Sequence, residues 1–240
     1  MSMPRKICCA VEAVRDHGAG VYTVDLAPAM PAPAFRPGQF LHLTVDPYDP
    51  SGFWPDSRVF SIAGSTPRRD RIRICYAVKG RYTRKMAAAL RPGVAAWIKL
   101  PYGEFVIDPG ADAVLLAGGT GITAFTAFIE GLPARLAHGV TLVYGARTPE
   151  LLLFRDLIRT QAAQVPGFRA LFFAEDGAAG HADGICAAGR LSVDAIWSLL
   201  PAPADKVYYL SGPPAMLAAL GAGLAQRGVP PDRIRTDAWE

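Results

Sequence analysis

The sequence predicts a six-stranded antiparallel β barrel over residues 1–107, followed by a doubly wound α/β domain with a parallel sheet over residues 108–240. Up to Phe105, the chain consists of short runs of alternating apolar and polar residues separated by Pro and Gly. After the turn at 108–110 the rhythm lengthens to strand, loop and helix, which indicates βαβ units. A length of 240 residues suits two lean domains of about 100–130 residues each.

The barrel half contains six predicted strands and one helix. In residues 71–78 the apolar Ile72, Ile74, Tyr76 and Val78 recur at period two while arginines take the other face, which is typical of a half-buried antiparallel strand. The other strands are predicted over residues 7–14, 21–26, 39–45, 59–63 and 95–100. The helix is predicted over residues 83–90, with Thr83 as its N-cap.

The second half alternates strands with helices. Strands are predicted over residues 113–117, 140–144, 168–174 and 207–211. One helix is predicted to follow Gly121 and run toward His138, and another to start at Thr148, where an N-cap is followed by a proline and an acid. Further helices are predicted over residues 192–200 and 213–227. Strands in this order form a parallel sheet covered on both faces.

Composition excludes several classes of protein. Hydrophobic residues make up 51% and charged residues 19%, with 25 basic and 21 acidic side chains, so a disordered chain is excluded. No apolar stretch reaches the roughly 18–20 residues of a membrane span, and we expect a soluble, cytoplasmic protein. The four cysteines form no C-x-x-C pair, so we expect free thiols rather than a metal site or an iron–sulfur cluster.

Two segments have the residue types of a ligand site. Gly118, Gly119 and Gly121 join a buried strand to a helix, where a backbone free of Cβ atoms and a positive helix end suit a pyrophosphate; tight packing is the alternative. In the barrel half, Arg58 suits a phosphate and the aromatic Phe60 suits a flat ring, while the turn that begins at Gly80 is a further anion-binding candidate. An ordinary strand with an exposed arginine is the alternative there.

Together, seven segments resemble motifs of the ferredoxin–NADP reductase superfamily, in the family's order over about residues 36–239. Residues 58–61 (R-V-F-S) resemble its R-x-Y-S motif, and residues 80–83 (G-R-Y-T) its G-x-x-S/T turn. Residues 118–123 (G-G-T-G-I-T) resemble G-G-T-G-I-T-P, and residues 211–216 (S-G-P-P-A-M) resemble C-G-P-x-x-M. The remaining resemblances are to the P-G-Q-F/Y, L-x-x-G-D and G-P-x-G-x-F segments, at residues 36–40, 91–93 and 101–105.

The resemblance implies an FAD-binding barrel and a domain that binds NADH or NADPH, with the two bound rings meeting between them. The positions implied for the flavin are Arg58, Val59, Phe60, Ser61, Tyr76, Gly80, Arg81, Tyr82, Thr83 and Trp239. Those implied for the nicotinamide coenzyme are Gly119, Thr120, Gly121, Ile122, Arg147, Glu175, Gly212, Pro213 and Met216. Ser61, Ser211 and Asp237 are the implied catalytic residues.

The chain departs from the family pattern at two of these positions. Phe60 replaces a tyrosine, which keeps the ring contact but loses a hydroxyl. Ser211 replaces a cysteine with a less polarisable group, so we expect a function that is kept but slowed. Near the C-terminus, Trp239 is expected to cover the flavin face and Asp237 to lie near flavin N5; a tail with a hydrophobic anchor is the alternative.

NADH is favoured over NADPH. Members of the family that use NADPH bind its 2′-phosphate just after the third strand of the domain, where this chain has Glu175 and Asp176. Two carboxylates repel a phosphate dianion and accept hydrogen bonds from a ribose diol. Arg147, after the second strand, favours NADPH instead, because a guanidinium is a good partner for the 2′-phosphate.

Basic residues crowd into the barrel half, which suits docking of an acidic electron carrier such as a ferredoxin or flavodoxin; a merely solvated face is the alternative. Nucleic acid is not expected, since no known module or aromatic interleaving accompanies the charges. These residues are Arg68, Arg69, Arg71, Arg73, Lys79, Arg81, Arg84, Lys85, Arg91 and Lys99.

The expected function is an FAD-dependent NAD(P)H oxidoreductase that passes electrons to a separate protein acceptor, a ferredoxin, flavodoxin or oxygenase. Free-flavin reductases are a close alternative, because their R-P-F-S-I-A-S segment is similar to residues 58–65. In that case the flavin is a substrate and leaves. A non-catalytic electron-transfer subunit of a larger redox complex is the third possibility.

Overall fold

The computed structural model describes residues 3–64, 68–107, 110–177 and 186–237. The chain divides into two compact units. The first consists of Met1–Val106 with Thr126–Phe128, and the second of Ile107–Phe125 with Ile129–Glu240. In the described residues, no helix combines the length and apolar character needed to cross a membrane.

The first unit is a six-stranded antiparallel sheet in the order β4-β3-β6-β1-β2-β5. Its edge strands meet just beyond β4, where the Ala63 N–H donates to the Arg73 carbonyl of β5 at 2.9 Å, so the sheet curls into a nearly closed barrel. This confirms the predicted antiparallel barrel. The strands are β1 (Arg5–Asp16), β2 (Val21–Pro28), β3 (Phe40–Thr44), β4 (Arg58–Ser61), β5 (Ile72–Ala77) and β6 (Ala95–Tyr102).

The apolar side chains that alternate along the strands fill the barrel interior, as the sequence predicts. Ile72 and Ile74 of β5 and Leu41 and Leu43 of β3 are fully buried. One helix, α1 (Arg81–Ala89), adds Met86 to this core. The N-cap predicted at Thr83 is wrong: Gly80 is the N-cap, and Thr83 lies three residues inside the helix, where its hydroxyl caps backbone N–H groups from within.

The second unit is a six-stranded parallel sheet in the order β10-β9-β8-β7-β11-β12. All six residues of the central β7 are buried, as in a parallel sheet covered on both faces. This confirms the predicted doubly wound domain. The strands are β7 (Ala113–Gly118), β8 (Val140–Ala146), β9 (Phe168–Ala174), β10 (Cys186–Ala188), β11 (Val207–Ser211) and β12 (Ile234–Thr236).

The strand order contains a topological switch beside β7. From β7 the chain moves outward through β8, β9 and β10, and then returns to place β11 and β12 on the other side of β7. The loops that leave the carboxyl ends of β7 and β11 therefore diverge from neighbouring strands. In open α/β sheets, ligands bind at this point.

The second unit has four α-helices in its described part, and two of them differ from the prediction. The helix expected to run from Gly121 toward His138 is a 3₁₀ turn (Gly119–Ile122) followed by α2 (Thr123–Glu130), which ends before Gly131 and Pro133. Thr148 is an N-cap as predicted, followed by a proline and an acid, but the segment that it opens, Pro149–Leu151, is only a 3₁₀ turn. The helix α3 (Arg155–Gln164) begins after Phe154.

The other two helices match the sequence. Ser192 caps α4 (Val193–Trp197) by accepting the Ala195 N–H at 3.2 Å, although the helix is shorter than predicted. The last helix, α5 (Pro214–Gln226), follows Pro213 as predicted and ends before Gly228. The edge strands β10 and β12 were not predicted, since runs of three residues carry no readable alternation.

Candidate functional site

The Gly-rich turn after β7 packs backbone to backbone against the loop after β11. A Cβ on Gly121 would lie 2.3 Å from the Ser211 carbonyl oxygen, and one on Gly118 would lie 2.4 Å from the Met216 sulfur. Gly119 differs, because its φ of +52° favours glycine while a Cβ there would meet nothing within 4 Å. Close packing therefore explains Gly118 and Gly121, and Gly119 is the glycine of this turn that borders open space.

Tyr144 of β8 lies beneath this turn and forms a hydrogen bond with it. Sequence reasoning missed this residue. Its hydroxyl lies 3.0 Å from the Gly119 carbonyl oxygen and 3.2 Å from that of Leu151, and it accepts the Leu153 N–H at 3.0 Å. These bonds compete with helical ones, which explains why no helix continues from Pro149. A lone tyrosine in a buried strand gives no sequence signal for such a role.

Two of the predicted catalytic residues meet at the carboxyl end of β11. The Ser211 hydroxyl donates to the Asp237 carboxylate at 2.8 Å, and both residues are only 2% exposed. The Asp237 N–H also bonds to the Leu210 carbonyl at 2.8 Å, which fixes the chain beyond β12. Gly212, Pro213 and Met216 follow directly, beside the Gly118 turn. Trp239 lies outside the described residues.

The residues predicted to select the coenzyme gather where β8, β9 and β10 end. The Glu175 N–H donates to Ala146 at 3.1 Å, and the Asp176 N–H donates to the Arg147 carbonyl at 2.8 Å. Arg147 and both acids are exposed. Arg190, which follows β10 and was not predicted, lies with Nη2 3.2 Å from Glu175 Oε2. Sequence patterns could not predict this ion pair, because its two residues are fifteen positions apart and follow different strands.

In the barrel, Arg58 and Tyr82 come together. The Arg58 guanidinium lies 4.5 Å above the Tyr82 ring, and its Nη1 donates to Asp56 Oδ1 and to the Ser57 carbonyl, each at 2.6 Å. The buried Tyr82 hydroxyl donates to the Asp56 carbonyl at 2.9 Å. Nearly half of the Arg58 side chain remains exposed (47%), so the stacked guanidinium faces solvent in a fixed place.

Phe60 and Tyr76 form an aromatic wall. The Phe60 ring is half-buried and lies 6.1 Å from Tyr76, which stacks on Tyr22 at 5.5 Å. Burial, followed by neighbouring Tyr22, raises the pKa of Tyr76 to about 12. Its hydroxyl is buried and has no hydrogen-bond partner in the part of the chain that the structure describes. Val59 is paired with His42, and the buried Ser61 with Phe40.

The turn into α1 presents backbone rather than side chains. The Thr83 hydroxyl oxygen accepts the N–H groups of Lys79 and Gly80 at 2.9 and 3.0 Å. A Cβ on Gly80 would meet nothing within 4 Å, and the first turn of the helix holds the exposed Arg81 and no acid. A positive helix end beside a basic side chain and open space fits a phosphate.

Several of the ten basic residues of the barrel are already paired. Arg71 bonds to Glu12 at 2.7 Å, Arg73 to Asp25 at 2.6 Å, and Lys85 to Asp46. Lys79, Arg81 and Arg84 are exposed around the start of α1 and have no ion pair in the described chain. Fewer of these basic side chains are therefore available to a partner than the sequence indicates.

Two of the cysteine thiols are buried. Cys9 and Cys75 are free and buried, and burial raises the pKa of each to about 12. Cys8 is free and half-buried. Within the described ranges, no group of three or more His, Cys, Asp or Glu side chains is placed to hold a metal ion.

Comparison with known proteins agrees with this geometry. Residues 115–221 match the family of oxidoreductase NAD-binding domains. The chain is 30% identical over 214 residues to a flavohemoprotein of Deinococcus radiodurans, covering 86% of this chain and 52% of that protein. It is 25% identical over 238 residues to the reductase component of propane 2-monooxygenase of Mycolicibacterium smegmatis, covering 95% of this chain and 66% of that protein.

A solved structure extends the likeness to the fold of almost the whole chain. The cytochrome P450 reductase GcoB of Amycolatopsis superposes with a TM-score of 0.82 at 25% identity, over 99% of this chain and 70% of that one. This chain thus spans about half of the flavohemoprotein and about two thirds of the reductase component. Residues 115–221 thus match the oxidoreductase NAD-binding family, and the likeness of the chain to flavin- and nicotinamide-binding reductases agrees with its resemblance to the ferredoxin–NADP reductase superfamily.

Proposed function

We propose that this chain is an FAD-dependent NAD(P)H oxidoreductase that passes electrons to a separate protein acceptor. The observation that carries the proposal is the carboxyl edge of β7 and β11, where the Gly119 turn lies beside the buried Ser211–Asp237 pair at the switch point of an NAD-binding domain. When bound, the nicotinamide supplies a hydride from C4 and the flavin accepts it at N5.

In this proposal the second unit binds and orients the coenzyme. The turn from Gly119 to Ile122 approaches the diphosphate with backbone, because side chains are absent at Gly119 and Gly121. Asp237 accepts a hydrogen bond from the Ser211 hydroxyl and so fixes the direction of its O–H bond. The lone pairs of the Ser211 oxygen are then available to the edge of the nicotinamide ring. Orientation of this kind supplies about 7–11 kcal/mol of barrier lowering in favourable cases.

The barrel residues fit a flavin nucleotide. Arg58, fixed over Tyr82, is placed to clamp a phosphate, and the open turn at Gly80 to receive the pyrophosphate. Phe60 offers a half-exposed ring next to Tyr76, and the unpartnered Tyr76 hydroxyl is a donor that the apoprotein leaves unused. These residues bind the ring system, orient it and exclude water from one of its faces.

We further propose an acidic protein as the electron acceptor. The relatives include the reductase component of a monooxygenase system, which supports a separate acceptor. Lys79, Arg81 and Arg84 are exposed near the start of α1 and, like Arg68 and Arg91, have no ion pair in the described chain. Attraction between exposed charges weakens with salt, so reduction of a protein acceptor slows as ionic strength rises while reduction of an uncharged small-molecule acceptor does not.

A free-flavin reductase is the second candidate, because Phe60 replaces the tyrosine of the family motif and removes one hydroxyl from the flavin side. The absorbance spectrum of the protein, loaded with FAD and passed through a size-exclusion column, separates the two. A yellow protein peak supports a resident FAD. A colourless protein peak with all FAD in the small-molecule fraction refutes it and favours flavin as substrate.

Glu175 is expected to set the preference for NADH. Replacing it by Gln removes a negative charge that repels a 2′-phosphate and releases Arg190 from its ion pair, leaving a guanidinium free to meet that phosphate. The ratio of kcat/KM for NADPH to that for NADH should rise about tenfold in Glu175→Gln, equivalent to about 1.4 kcal/mol. Steady-state kinetics with both coenzymes measure it.

The matched control is Asp194→Asn, which breaks another surface ion pair of the same unit, that with Arg227 at 2.6 Å. It should leave the ratio unchanged. An unchanged ratio in Glu175→Gln as well would remove Glu175 from coenzyme selection.

A further inference from the structure

One buried hydroxyl joins two loops at the carboxyl edge of the parallel sheet. The Tyr144 side chain is fully buried, and its hydroxyl touches Gly119 in the turn after β7 and both Leu151 and Leu153 in the segment before α3. These two segments leave neighbouring strands and are far apart in the sequence. Tyr144 is thus a direct link between them.

The hydrogen-bond inventory shows how tight this link is. A phenol has one proton to donate and lone pairs to accept. The Leu153 N–H occupies an acceptor position at 3.0 Å and also donates to the Leu151 carbonyl at 3.0 Å, while the phenol proton serves the Gly119 carbonyl at 3.0 Å or the Leu151 carbonyl at 3.2 Å. Both segments therefore share one hydroxyl, so a shift of the Gly119 carbonyl changes the hydrogen bonding of residues 151–153.

The backbone on both sides of the hydroxyl is held in the left-handed region. Gly119 has a φ of +52°, and Phe154, next to Leu153, has a φ of +57°. A bulky residue adopts this region only where its surroundings impose it, and such outliers concentrate at ligand sites. The Tyr144 hydroxyl is hydrogen-bonded to Gly119 itself and to Leu153, the neighbour of Phe154.

We propose that Tyr144 is a positioning residue for the nicotinamide coenzyme: its hydroxyl sets the shape of the Gly119 turn and couples that turn to residues 151–154. This proposal rests on the proposed function, which makes the Gly119 turn the coenzyme's diphosphate site. Tyr144 itself touches no substrate, because it is fully buried beneath the turn. Its effect is on the affinity for the coenzyme and not on the chemical step.

A pair of Tyr→Phe variants tests the proposal. Tyr144→Phe removes the linking hydroxyl and keeps the ring. Tyr208→Phe is the control, since Tyr208 is equally buried in the same sheet and its hydroxyl donates to the Pro203 carbonyl at 2.8 Å. Both variants should lower the melting temperature, because each removes the hydrogen bonds of a tyrosine hydroxyl in the sheet.

Only Tyr144→Phe should weaken coenzyme binding. We expect the Kd for NAD⁺, measured by calorimetry on the FAD-loaded protein, to rise about tenfold in Tyr144→Phe and to stay within about twofold in Tyr208→Phe. The KM for NADH should rise with kcat unchanged, since Ser211 and Asp237 are untouched. An unchanged Kd in Tyr144→Phe overturns the proposal. Wild-type protein that binds no NAD⁺ refutes the proposed function itself.

Hydrogen exchange of the wild-type protein gives a second test that does not depend on the variants folding. Saturating NAD⁺ should slow amide exchange in peptides covering residues 119–122 and also in those covering residues 151–154, since one hydroxyl holds both. Slower exchange at residues 119–122 alone would show that the two loops are not coupled, and would overturn the proposal.

Discussion

Gly121→Ala is expected to lower kcat/KM for NADH by about 100-fold. The added Cβ would lie 2.3 Å from the Ser211 carbonyl oxygen, 2.5 Å from the Ser211 carbonyl carbon and 2.6 Å from the Gly212 nitrogen. Since all three are backbone atoms, the turn or the loop after β11 must move. Such a shift displaces the diphosphate site and Ser211 together. Stopped-flow measurement of flavin reduction by NADH is the readout.

Gly221→Ala provides the matched control. Gly221 lies inside α5, where a Cβ would meet nothing within 4 Å, so alanine there should stabilise the helix by about 0.5–1 kcal/mol and leave the kinetics unchanged. If Gly121→Ala reduced flavin at the wild-type rate, the turn after β7 would not be the coenzyme site.

Arg58→Ala is expected to weaken FAD binding by about 10- to 100-fold. The guanidinium is held over Tyr82 and next to Asp56, so it is already oriented before any phosphate arrives. Loss of a charge-assisted hydrogen bond costs about 1.5–3 kcal/mol, which corresponds to this range of affinity. Fluorescence titration of the apoprotein with FAD measures the dissociation constant.

Arg71→Ala is the control for this second variant. Arg71 lies next to β5 of the same barrel, its side chain is similarly exposed at 41% against 47% for Arg58, and it also forms a surface ion pair. Its removal should leave the FAD affinity unchanged. Equal loss in both variants would indicate a general effect of barrel charge rather than a phosphate contact at Arg58.

Most strands could be predicted from the sequence because local patterning decides them. The alternation around Ile72 and Ile74 reflects a strand with one face in the barrel core, and the wholly apolar β7 reflects burial on both faces. The failures were decided by tertiary contacts. The helix expected after Thr148 gives way to bonds from Leu151 and Leu153 to the Tyr144 hydroxyl, which no local propensity reveals.

The candidate site likewise has features that local motifs predict and features that depend on tertiary contacts. Glycines in a strand-to-helix turn and an arginine before Phe60 are motifs within a few residues, so the sequence was sufficient to single them out. The contacts of Tyr144 with Gly119 and of Arg190 with Glu175 join residues 25 and 15 positions apart, and depend on strand order. The bond between Ser211 and Asp237 likewise appears only once β11 and β12 are paired.

An anaerobic titration of the FAD-loaded protein with NADH tests the central claim most directly. The account predicts that the flavin absorbance bleaches fully with about one equivalent of NADH per bound FAD, since hydride transfer moves two electrons at once. A protein that keeps its FAD and retains the oxidised spectrum in excess NADH and in excess NADPH would contradict the account.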